Sequence, residues 1–368
     1  MISPVALRQQ LHRHPELSFE ELETATTIGR ALSEAGIAWQ PVAHTGILAK
    51  LEGRGDLSRA VVLRADIDAL PIREEAEVAW RSENEGVMHA CGHDMHAAIL
   101  YGALCRLKDE PFEGTIFGLF QPGEELNPGG AKLVLDEAPF ADYEVMAVVG
   151  QHVEPDLEVG EFGFRAGKYM AGNDELRFTI RGRGGHAALR HRTQDTVRAA
   201  ARLILAVTDL NSEERILSIG RVEADGATNV IPDEVRLEGT MRIFSERNRE
   251  ALHQTLRTLC DRLGAEEGLE IGLSISAGYP AVENHPELTL QAKELAREAG
   301  YSTHELALRP TSEDFGRYGL HYPSLFYRIG VGAASGRPHT SRFNPDERAI
   351  PAGVDLMARL ALHFLGNK

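Results

Sequence analysis

Residues 89–96, His-Ala-Cys-Gly-His-Asp-Met-His, place a thiol, three imidazoles and a carboxylate within one short stretch. Cys91 and His93 are separated only by Gly92, and an extended approach through a glycine lets both side chains turn onto one ion. Residues 94–107 carry an apolar stripe at helical spacing and predict a helix. The stretch therefore predicts a metal site where a loop meets a helix. A nucleophilic Cys91 is the rival interpretation, and a metal-bound thiolate would be occupied.

A second candidate site follows the apolar run 115–120, where the chain reads Gln-Pro-Gly-Glu-Glu. In an open α/β sheet, ligands bind beyond the carboxyl ends of the strands. Adjacent carboxylates repel each other as anions unless a cation lies beside them. If Glu125 binds a metal and Glu124 stays free as a general base, the two carboxylates have different roles. An acidic surface turn is the alternative that this motif alone leaves open.

Two further histidines follow predicted strands. His152 comes just after the apolar run 145–149, and His339 lies in a Gly/Ser-rich loop beyond a strand that ends at Ile329. Alone, each is more typical of a hydrogen-bonded core residue. Together with the first two motifs they complete a donor set that zinc, manganese, cobalt or nickel accepts, namely Cys91, His93, Glu125, His152 and His339. Five ligands indicate two divalent ions, which can share one water and present hydroxide to a carbonyl while Glu124 moves the proton.

The elements that must hold these side chains alternate between strand and helix. Short apolar strands, separated by helical patterns, are predicted at 46–52, 60–65, 115–120, 145–150 and 324–329. Helices are predicted at 20–36, 94–107, 287–300 and 353–365, and Ser312 is expected to cap a helix with acidic residues in its first turn. This is an α/β layout with a mostly parallel sheet and helices on both faces.

The pattern changes between residues 168 and 278. Its predicted elements follow the order βαββαβ, with strands at 175–181, 216–224, 234–242 and 269–277 and helices at 193–210 and 248–264. This order is the signature of a compact ferredoxin-like sandwich that folds as a unit and can be inserted into another domain. We therefore predict a catalytic domain built from residues 1–167 and 279–368 around an inserted domain at 168–278.

Composition excludes several classes of partner. The net charge of −16, from 39 basic and 55 acidic residues, argues against binding to nucleic acid or to an anionic membrane surface. The first residues begin an amphipathic helix, so we expect neither a signal peptide nor a membrane span. The cysteines Cys91, Cys105 and Cys260 are too few and too scattered for a disulfide framework. A reducing compartment, the cytoplasm, is expected.

At this point the motifs can be compared with known families. Taken in order over essentially the whole chain, they resemble the di-metal aminoacylase and carboxypeptidase superfamily. Within it they are most similar to the amidohydrolase branch of hippurate hydrolases, N-acyl-amino-acid deacetylases and auxin-conjugate hydrolases. The motifs are LHRHPELSFEE, LRADIDALPI, HACGHDMH, QPGEE, GQHVEP, GGHAA, TNVIPDE, SEDF and PHTSRF.

The resemblance implies the same five metal ligands and the same general base, Glu124. More distant members use a His-x-Asp pair in which the His binds metal and the Asp orients it. Here Asp66-Ile67-Asp68 stands in its place, so Asp68 is expected to hydrogen-bond to a ligand and not to bind the metal itself. The inserted domain resembles a lid and dimerisation domain. There His186 would stabilise an oxyanion across a dimer, Asn229 would bind substrate, and Arg242 would hold a substrate carboxylate. A turn residue and a strand-edge charge remain the alternatives for Asn229 and Arg242.

The donor set predicts metal-bound hydroxide, and the resemblance implies a metal-dependent amidohydrolase that cleaves N-acyl amino acids to a carboxylic acid and a free amino acid. Two divalent ions (Zn, Mn, Co or Ni), a small-molecule substrate and a homodimer formed through the lid are expected. A dipeptidase or carboxypeptidase acting on small peptides is the nearer alternative. A non-catalytic, metal-containing binding protein is the more distant one, and it would need no second carboxylate beside Glu125.

Overall fold

The computed structural model describes residues 1–366, which fold into two compact units. Unit 1 comprises Met1–Tyr169, Glu283–Ala307 and the residues from Asp314 onward, and unit 2 comprises Met170–Val282 and Leu308–Glu313. Each unit has its own buried apolar cluster. Among the helices of residues 1–366, none combines the length and the apolar character that crossing a bilayer requires.

Strands and helices are numbered along the chain. The strands are β1 (Ala38–Val42), β2 (Gly46–Glu52), β3 (Arg59–Asp66), β4 (Thr115–Gln121), β5 (Glu144–Glu154), β6 (Phe162–Phe164), β7 (Gly167–Met170), β8 (Gly172–Arg181), β9 (Gly185–His186), β10 (Arg215–Ala224), β11 (Val230–Ile231), β12 (Glu234–Ile243), β13 (Glu270–Ala277), β14 (Val282–Asn284), β15 (Thr303–Glu305) and β16 (Ser324–Gly330). The α-helices are α1 (Pro4–Arg13), α2 (Leu22–Glu34), α3 (His93–Leu107), α4 (Gly130–Glu137), α5 (Thr196–Thr208), α6 (Glu246–Glu267), α7 (Pro286–Glu298), α8 (Gly316–Gly319) and α9 (Ile350–Phe364).

Unit 1 is built on a large, mostly parallel sheet with the strand order β1-β2-β4-β3-β5-β16-β6-β15. Strand β3 pairs in parallel with β4 and β5, and β5 pairs in parallel with β16. Strands β1 and β2 form an antiparallel edge beside β4. The helix expected between β2 and β3 is absent from the described chain. Since β2 runs opposite to β3, it ends at the edge where β3 begins, and the short turn at 53–58 is enough.

Helix α3 carries His93 in its first turn and is buried along nearly its whole length. It contacts α1 and α9 as well as β3, β4 and β5, so a single apolar stripe understates its burial. Small residues permit this close packing. A Cβ atom on Gly102 would lie 2.5 Å from Val354 Cγ2 and 2.9 Å from Pro4 Cγ. The start of the helix is therefore held rigidly from several sides.

Unit 2 contains a four-stranded sheet of order β10-β12-β8-β13, with every neighbouring pair antiparallel. The burial of β8 alternates along the strand, because successive side chains point to opposite faces of a sheet. The buried face packs against α5 and α6, and the shared core includes Leu176, Phe178, Leu203 and Leu256. The elements follow the order β8, α5, β10, β12, α6 and β13, which is the βαββαβ order that the sequence predicts.

A buried ion-pair cluster in unit 2 yields a stability prediction. The carboxylate of Asp174 is 0% exposed and accepts from Arg249 Nε at 3.0 Å, with His253 Nε2 at 2.6 Å. Replacing Asp174 by asparagine removes the buried anion and leaves the largely buried Arg249 guanidinium with only the partly exposed carboxylate of Glu246 as an ionic partner. We expect the free energy of unfolding to fall by about 3 to 5 kcal/mol, measured by urea denaturation at neutral pH. The exposed pair of Glu175 with Arg177 supplies the control, since Glu175→Gln should change this free energy by less than about 1 kcal/mol.

The same cluster predicts an acid dependence. Burial opposes ionisation of Asp174, but the bonds from Arg249 and His253 outweigh it and lower its pKa below the usual value. The stabilisation is therefore complete above the unfolded-state pKa of about 3.9 and is lost as the pH falls through the folded-state pKa. Below about pH 4 the difference in stability between wild type and Asp174→Asn should shrink. A difference that stays constant over this range would contradict the assignment.

Candidate metal centre

Parallel neighbours in the sheet bring three of the predicted motifs to one edge of unit 1. Strand β3 ends at Asp66 and pairs with the end of β4 at Gln121. Strand β5, on the other side of β3, continues to His152 and beyond. Side chains that follow the carboxyl ends of adjacent parallel strands lie close together, and this is where α/β sheets bind ligands. Topology alone thus gathers residues 66–68, 121–125 and 152.

The loop before α3 brings the remaining donors of the His-rich stretch to the same place. Gly92 immediately precedes the helix and adopts a left-handed conformation with φ of +92°. A Cβ atom there would lie 2.7 Å from Val153 Cγ2, so both the backbone angle and the space favour glycine. This turn lets Cys91 and His93 face one centre although they are two residues apart.

All five predicted ligands meet at this centre. Cys91 Sγ lies 3.3 Å from His152 Nε2 and 3.3 Å from His339 Nε2. Glu125 Oε1 lies 3.2 Å from His339 Nε2 and 4.0 Å from His93 Nε2. The donors form two overlapping groups, each with ligand atoms within 4.8 Å of one another, and Cys91 belongs to both. The groups are Cys91, His93 and His152, and Cys91, Glu125 and His339.

Hydrogen bonds on the far side of two rings determine which nitrogen faces the centre. His152 Nδ1 donates to the carbonyl of Val153 at 2.8 Å. His93 Nδ1 lies 2.9 Å from the carbonyl oxygen and 3.1 Å from the carboxylate of Asp68. Because both partners are acceptors, each Nδ1 carries a proton, and in the neutral ring each Nε2 presents a lone pair to the centre. Burial opposes protonation of His93, but the charge of Asp66 and the interaction with Cys91 outweigh it and raise the pKa of His93 well above its usual value, so a metal that binds His93 Nε2 would displace a proton. Asp68 also accepts from the backbone N–H of Glu125 at 2.9 Å, so it contacts two of the predicted ligands.

Two buried atoms at the centre indicate that cations fit it. Within the described residues, His93 Nε2 and Glu125 Oε1 are buried and make no well-formed hydrogen bond, and Glu125 Oε1 has only the ion-pair approach of His339 Nε2 at 3.2 Å. A buried polar atom without a partner costs free energy, and a cation would satisfy both of these acceptors. Thiolate, imidazole and carboxylate donors together suit borderline divalent metals rather than Mg²⁺ or Ca²⁺. The residues present therefore fit a pair of divalent ions.

Burial shifts the protonation of the ligands themselves. Burial and the charge of Glu125 raise the pKa of the Cys91 thiol to about 12. Burial, together with the nearby Arg328 cation, holds the pKa of His152 well below its usual value. His152 is therefore neutral, as a histidine that binds a metal must be, whereas Cys91 would have to lose a proton to bind one.

Glu124 lies beside this donor set without being needed to complete it. Its side chain is buried, with 6% of the residue exposed. A carboxylate oxygen of Glu124 is within 4.8 Å of ligand atoms of both His93 and Glu125. Both adjacent glutamates thus face the donor set, and only Glu125 also belongs to the group that contains Cys91 and His339.

Asp66 and His96 form an arrangement that the sequence analysis did not assign. One oxygen of Asp66 lies 2.6 Å from His96 Nδ1 and the other accepts from Arg64 Nη1 at 2.6 Å. Burial opposes ionisation, but His93, Arg64 and His96 hold the pKa of Asp66 well below its usual range. His96 Nε2 in turn accepts from the backbone N–H of Val153 at 3.0 Å. Both side chains are thus hydrogen-bonded within unit 1, next to the donor groups. In the sequence, the position of His96 three residues after His93, on the same side of a helix, could have indicated its place near the centre.

The expected helix cap at Ser312 is wrong. Helix α8 begins at Gly316 and has no side-chain cap. Asp314 is buried in unit 1, where it accepts from Arg64 Nη2 at 2.7 Å and from the backbone N–H of Ala131 at 2.9 Å. A buried arginine needs a buried anion, and this requirement outweighs the local preference for a cap. Ser312 accepts from Arg242 instead, at 3.2 Å.

The other predicted site residues lie in unit 2. His186 is exposed on β9, which pairs with β11 so that His186 is opposite Val230. The backbone carbonyl of Asn229 accepts from Ala187 N at 2.9 Å, so Asn229 and His186 are neighbours on one short ribbon. Arg242 is half-buried on β12, and burial lowers its pKa from the usual value.

Comparison with known proteins covers almost the whole chain. The model of the peptidase family M20/M25/M40 matches residues 62–363. The chain is 35% identical to N-acetylcysteine deacetylase of Bacillus subtilis, covering 98% of this chain and 96% of that protein. It is 34% identical to N-acetyldiaminopimelate deacetylase of Exiguobacterium sibiricum, covering 96% and 97% of the two chains.

A solved structure gives the same result for the fold. The chain resembles the Bacillus subtilis YXEP protein, described as a dinuclear metal binding peptidase from the M20 family, with a TM-score of 0.89 and 33% identity. The similarity covers 99% of this chain and 98% of that one. A fold shared over this length includes the strands and loops that carry the donor groups.

Proposed function

Because this chain belongs to the peptidase family M20/M25/M40, we propose that it is a two-metal amidohydrolase that cleaves N-acyl amino acids to a carboxylic acid and a free amino acid. The observation that carries the proposal is the convergence of Cys91, His93, Glu125, His152 and His339, with a further carboxylate beside them. The relatives named above support the substrate class, since both are named as deacetylases of N-acetylated amino acids.

The proposed chemistry divides between the ions and the protein. Two bound divalent cations would polarise the amide carbonyl and make a water acidic enough to react near neutral pH. Glu124 takes the proton from the attacking water and delivers it to the leaving amine nitrogen when the C–N bond breaks. Its buried position, shielded from bulk water, strengthens the electrostatic interactions between its carboxylate and nearby charges. Asp68 keeps His93 and Glu125 in place throughout.

Three residues of unit 2 are proposed to act on the substrate. His186 would donate to the developing oxyanion from the partner protomer, Asn229 would bind substrate beside it, and Arg242 would hold the amino-acid carboxylate. His186 and Asn229 are neighbours on one short β-ribbon, and the guanidinium of Arg242 is half-buried. Both observations support these roles. Adding 1 equivalent of purified His186→Ala to an inactive Glu124 variant tests the shared site, because a mixed dimer would regain activity at one of its two sites.

We further propose that residues 168–278 form a lid and dimerisation domain and that the enzyme is cytoplasmic. The separate core and the βαββαβ order of unit 2 support a domain that folds by itself. The net charge of −16 supports a small-molecule partner over nucleic acid. Light scattering of the purified protein measures whether it is a dimer.

A substrate panel tests the proposed function. We expect purified, metal-loaded protein to release amino acid from N-acetyl or N-benzoyl amino acids, and expect a chelator to abolish the release because the ligands alone cannot activate water. Amino-acid release is followed with a ninhydrin-type assay, and metal content is measured on the same sample.

The same panel separates the alternatives. Faster cleavage of dipeptides than of N-acyl amino acids would identify a dipeptidase instead. Metal binding without cleavage of either class would favour a binding protein and would contradict the proposal. Readdition of zinc or manganese after chelation is the control, because activity lost through unfolding would not return.

A further inference from the structure

The segment Ser18–Glu21, from the LHRHPELSFEE motif, contacts the metal centre without supplying a ligand. We call it the bracing segment. Its side chains reach two places: the loop Gln121–Glu125, which carries the proposed base, and Asp68, which holds two ligands. These contacts are all within unit 1. The segment thus adjoins the chemistry although none of its residues is among the donors.

Glu21 makes the most informative contact. It occupies the position before helix α2, where a side chain usually caps the helix, but it makes no side-chain cap bond. Its carboxylate is completely buried and accepts from the backbone N–H of Gly123 at 2.8 Å and from Thr45 Oγ1 at 2.5 Å. Glu16 caps the helix instead, accepting from Glu23 N at 3.1 Å and Thr24 N at 2.8 Å. The Glu21 side chain is therefore directed away from its own helix and onto the residue before Glu124.

Phe19 contacts the same glycine. It has a φ of +67°, a left-handed conformation that bulky residues rarely adopt. Gly123 also has a positive φ, and a Cβ atom on it would lie 2.3 Å from Phe19 Cε1. The ring fits only because Gly123 has no side chain. On the far side, Gly130 N donates to the carbonyl of Gly123 at 3.0 Å, so this residue is clamped from several directions.

Ser18 reaches the ligands through Asp68. Its hydroxyl donates to Asp68 Oδ2 at 2.7 Å, the same oxygen that accepts from Glu125 N. Asp68 Oδ1 lies 3.1 Å from His93 Nδ1. The segment therefore touches the backbone on both sides of Glu124, at Gly123 directly and at Glu125 through Asp68.

We propose that the bracing segment positions the Glu124 carboxylate for proton transfer, with Glu21 as the positioning residue that acts through the Gly123 amide. This inference rests on the proposed role of Glu124 as the base. Its physical reason is geometric: a misplacement of about 1 Å at a reacting group can cost roughly 100-fold in rate. Cys91, His93, His152 and His339 lie outside this loop, and Glu125, which lies on it, is also held by the bond from its backbone N–H to Asp68. Loss of the Glu21 contact should therefore affect proton transfer more than metal binding.

The test compares Glu21→Ala, Glu21→Gln and Glu16→Ala in the metal-loaded, full-length protein. We expect Glu21→Ala to lower kcat by roughly 10-fold to 100-fold, with KM and metal content nearly unchanged. Glu21→Gln should retain most of the wild-type kcat, because the glutamine amide oxygen can accept from Gly123 N and the glutamine NH₂ can donate to Thr45 Oγ1. Glu16→Ala removes helix-capping bonds only, so it should lower Tm and leave kcat unchanged.

Hydrogen exchange provides a readout that does not depend on turnover. Peptides spanning residues 121–126 should exchange faster in Glu21→Ala than in wild type, and not in Glu16→Ala. If Glu21→Ala lowers Tm while kcat and this exchange stay at the level of Glu16→Ala, the segment is merely structural and the inference is overturned. If the wild type cleaves no N-acyl amino acid, the proposed function fails separately. The exchange comparison then still decides whether Glu21 braces the loop.

Discussion

Replacing Glu124 by glutamine should lower kcat for N-acyl amino acid hydrolysis by roughly 100-fold to 10,000-fold while the metal content stays unchanged. Glutamine preserves the shape of the side chain but cannot accept a proton from water. The five proposed ligands do not include Glu124, which lies within 4.8 Å of two of them, His93 and Glu125, so we expect them to remain in place. Steady-state kinetics and metal analysis of the same preparation measure both effects.

The exposed pair of Asp136 with Lys132 on α4 provides a control for this substitution. Asp136→Asn removes one carboxylate at the surface, and we expect no change in kcat, because exposed pairs contribute little. Full activity in Glu124→Gln would show that another group moves the proton. Loss of metal together with activity would instead make Glu124 a ligand.

Replacing Cys91 by alanine should release metal and abolish hydrolysis. The thiol is the one donor common to both ligand groups, 3.3 Å from each of two imidazoles. Mutation of a residue that only hydrogen-bonds to a metal ligand typically lowers metal affinity by 10-fold to 100-fold. Removal of this shared ligand itself should therefore lower metal affinity by at least about 100-fold. Metal titration by calorimetry measures the affinity, and the substrate assay measures the activity.

Cys105 is a matched control for Cys91. It is a free cysteine on α3, half-buried against the unit 1 core and apart from the donor groups. Cys105→Ala should retain metal and kcat. If Cys91→Ala bound metal as tightly as Cys105→Ala yet lost activity, the thiol would be acting as a nucleophile, the rival interpretation of this residue.

Comparison of the two single variants, Glu124→Gln and Cys91→Ala, distinguishes an enzyme from a binding protein. A catalyst loses turnover in both variants but loses metal in only one of them. A metal-containing binding protein would show no difference between Glu124→Gln and wild type in any assay of ligand binding. Substitution of Glu124, beside Glu125, therefore distinguishes an enzyme from a metal-containing protein that has the same fold but no activity.

Much of this protein could be predicted from local patterns. Helical and strand periodicity located nearly every major element, including the βαββαβ order of unit 2, because the side-chain periods of about 3.6 and 2 residues depend only on neighbours along the chain. The residue types of the donor set predicted the chemistry, since a thiolate, imidazoles and carboxylates in motifs at strand ends have few uses other than binding a metal.

Other features depend on contacts between residues distant in sequence. That Asp66 is bonded to Arg64 and His96, and so is not a free ligand, follows from burial of one charged cluster and not from the Asp-Ile-Asp motif. The same cluster draws Asp314 away from the predicted helix cap. Glu21 illustrates the point most clearly, since its position before α2 predicts a cap while its carboxylate contacts Gly123, 102 residues away. Desolvation forces every buried polar group to find a partner, and the folded chain alone determines which partner is within reach.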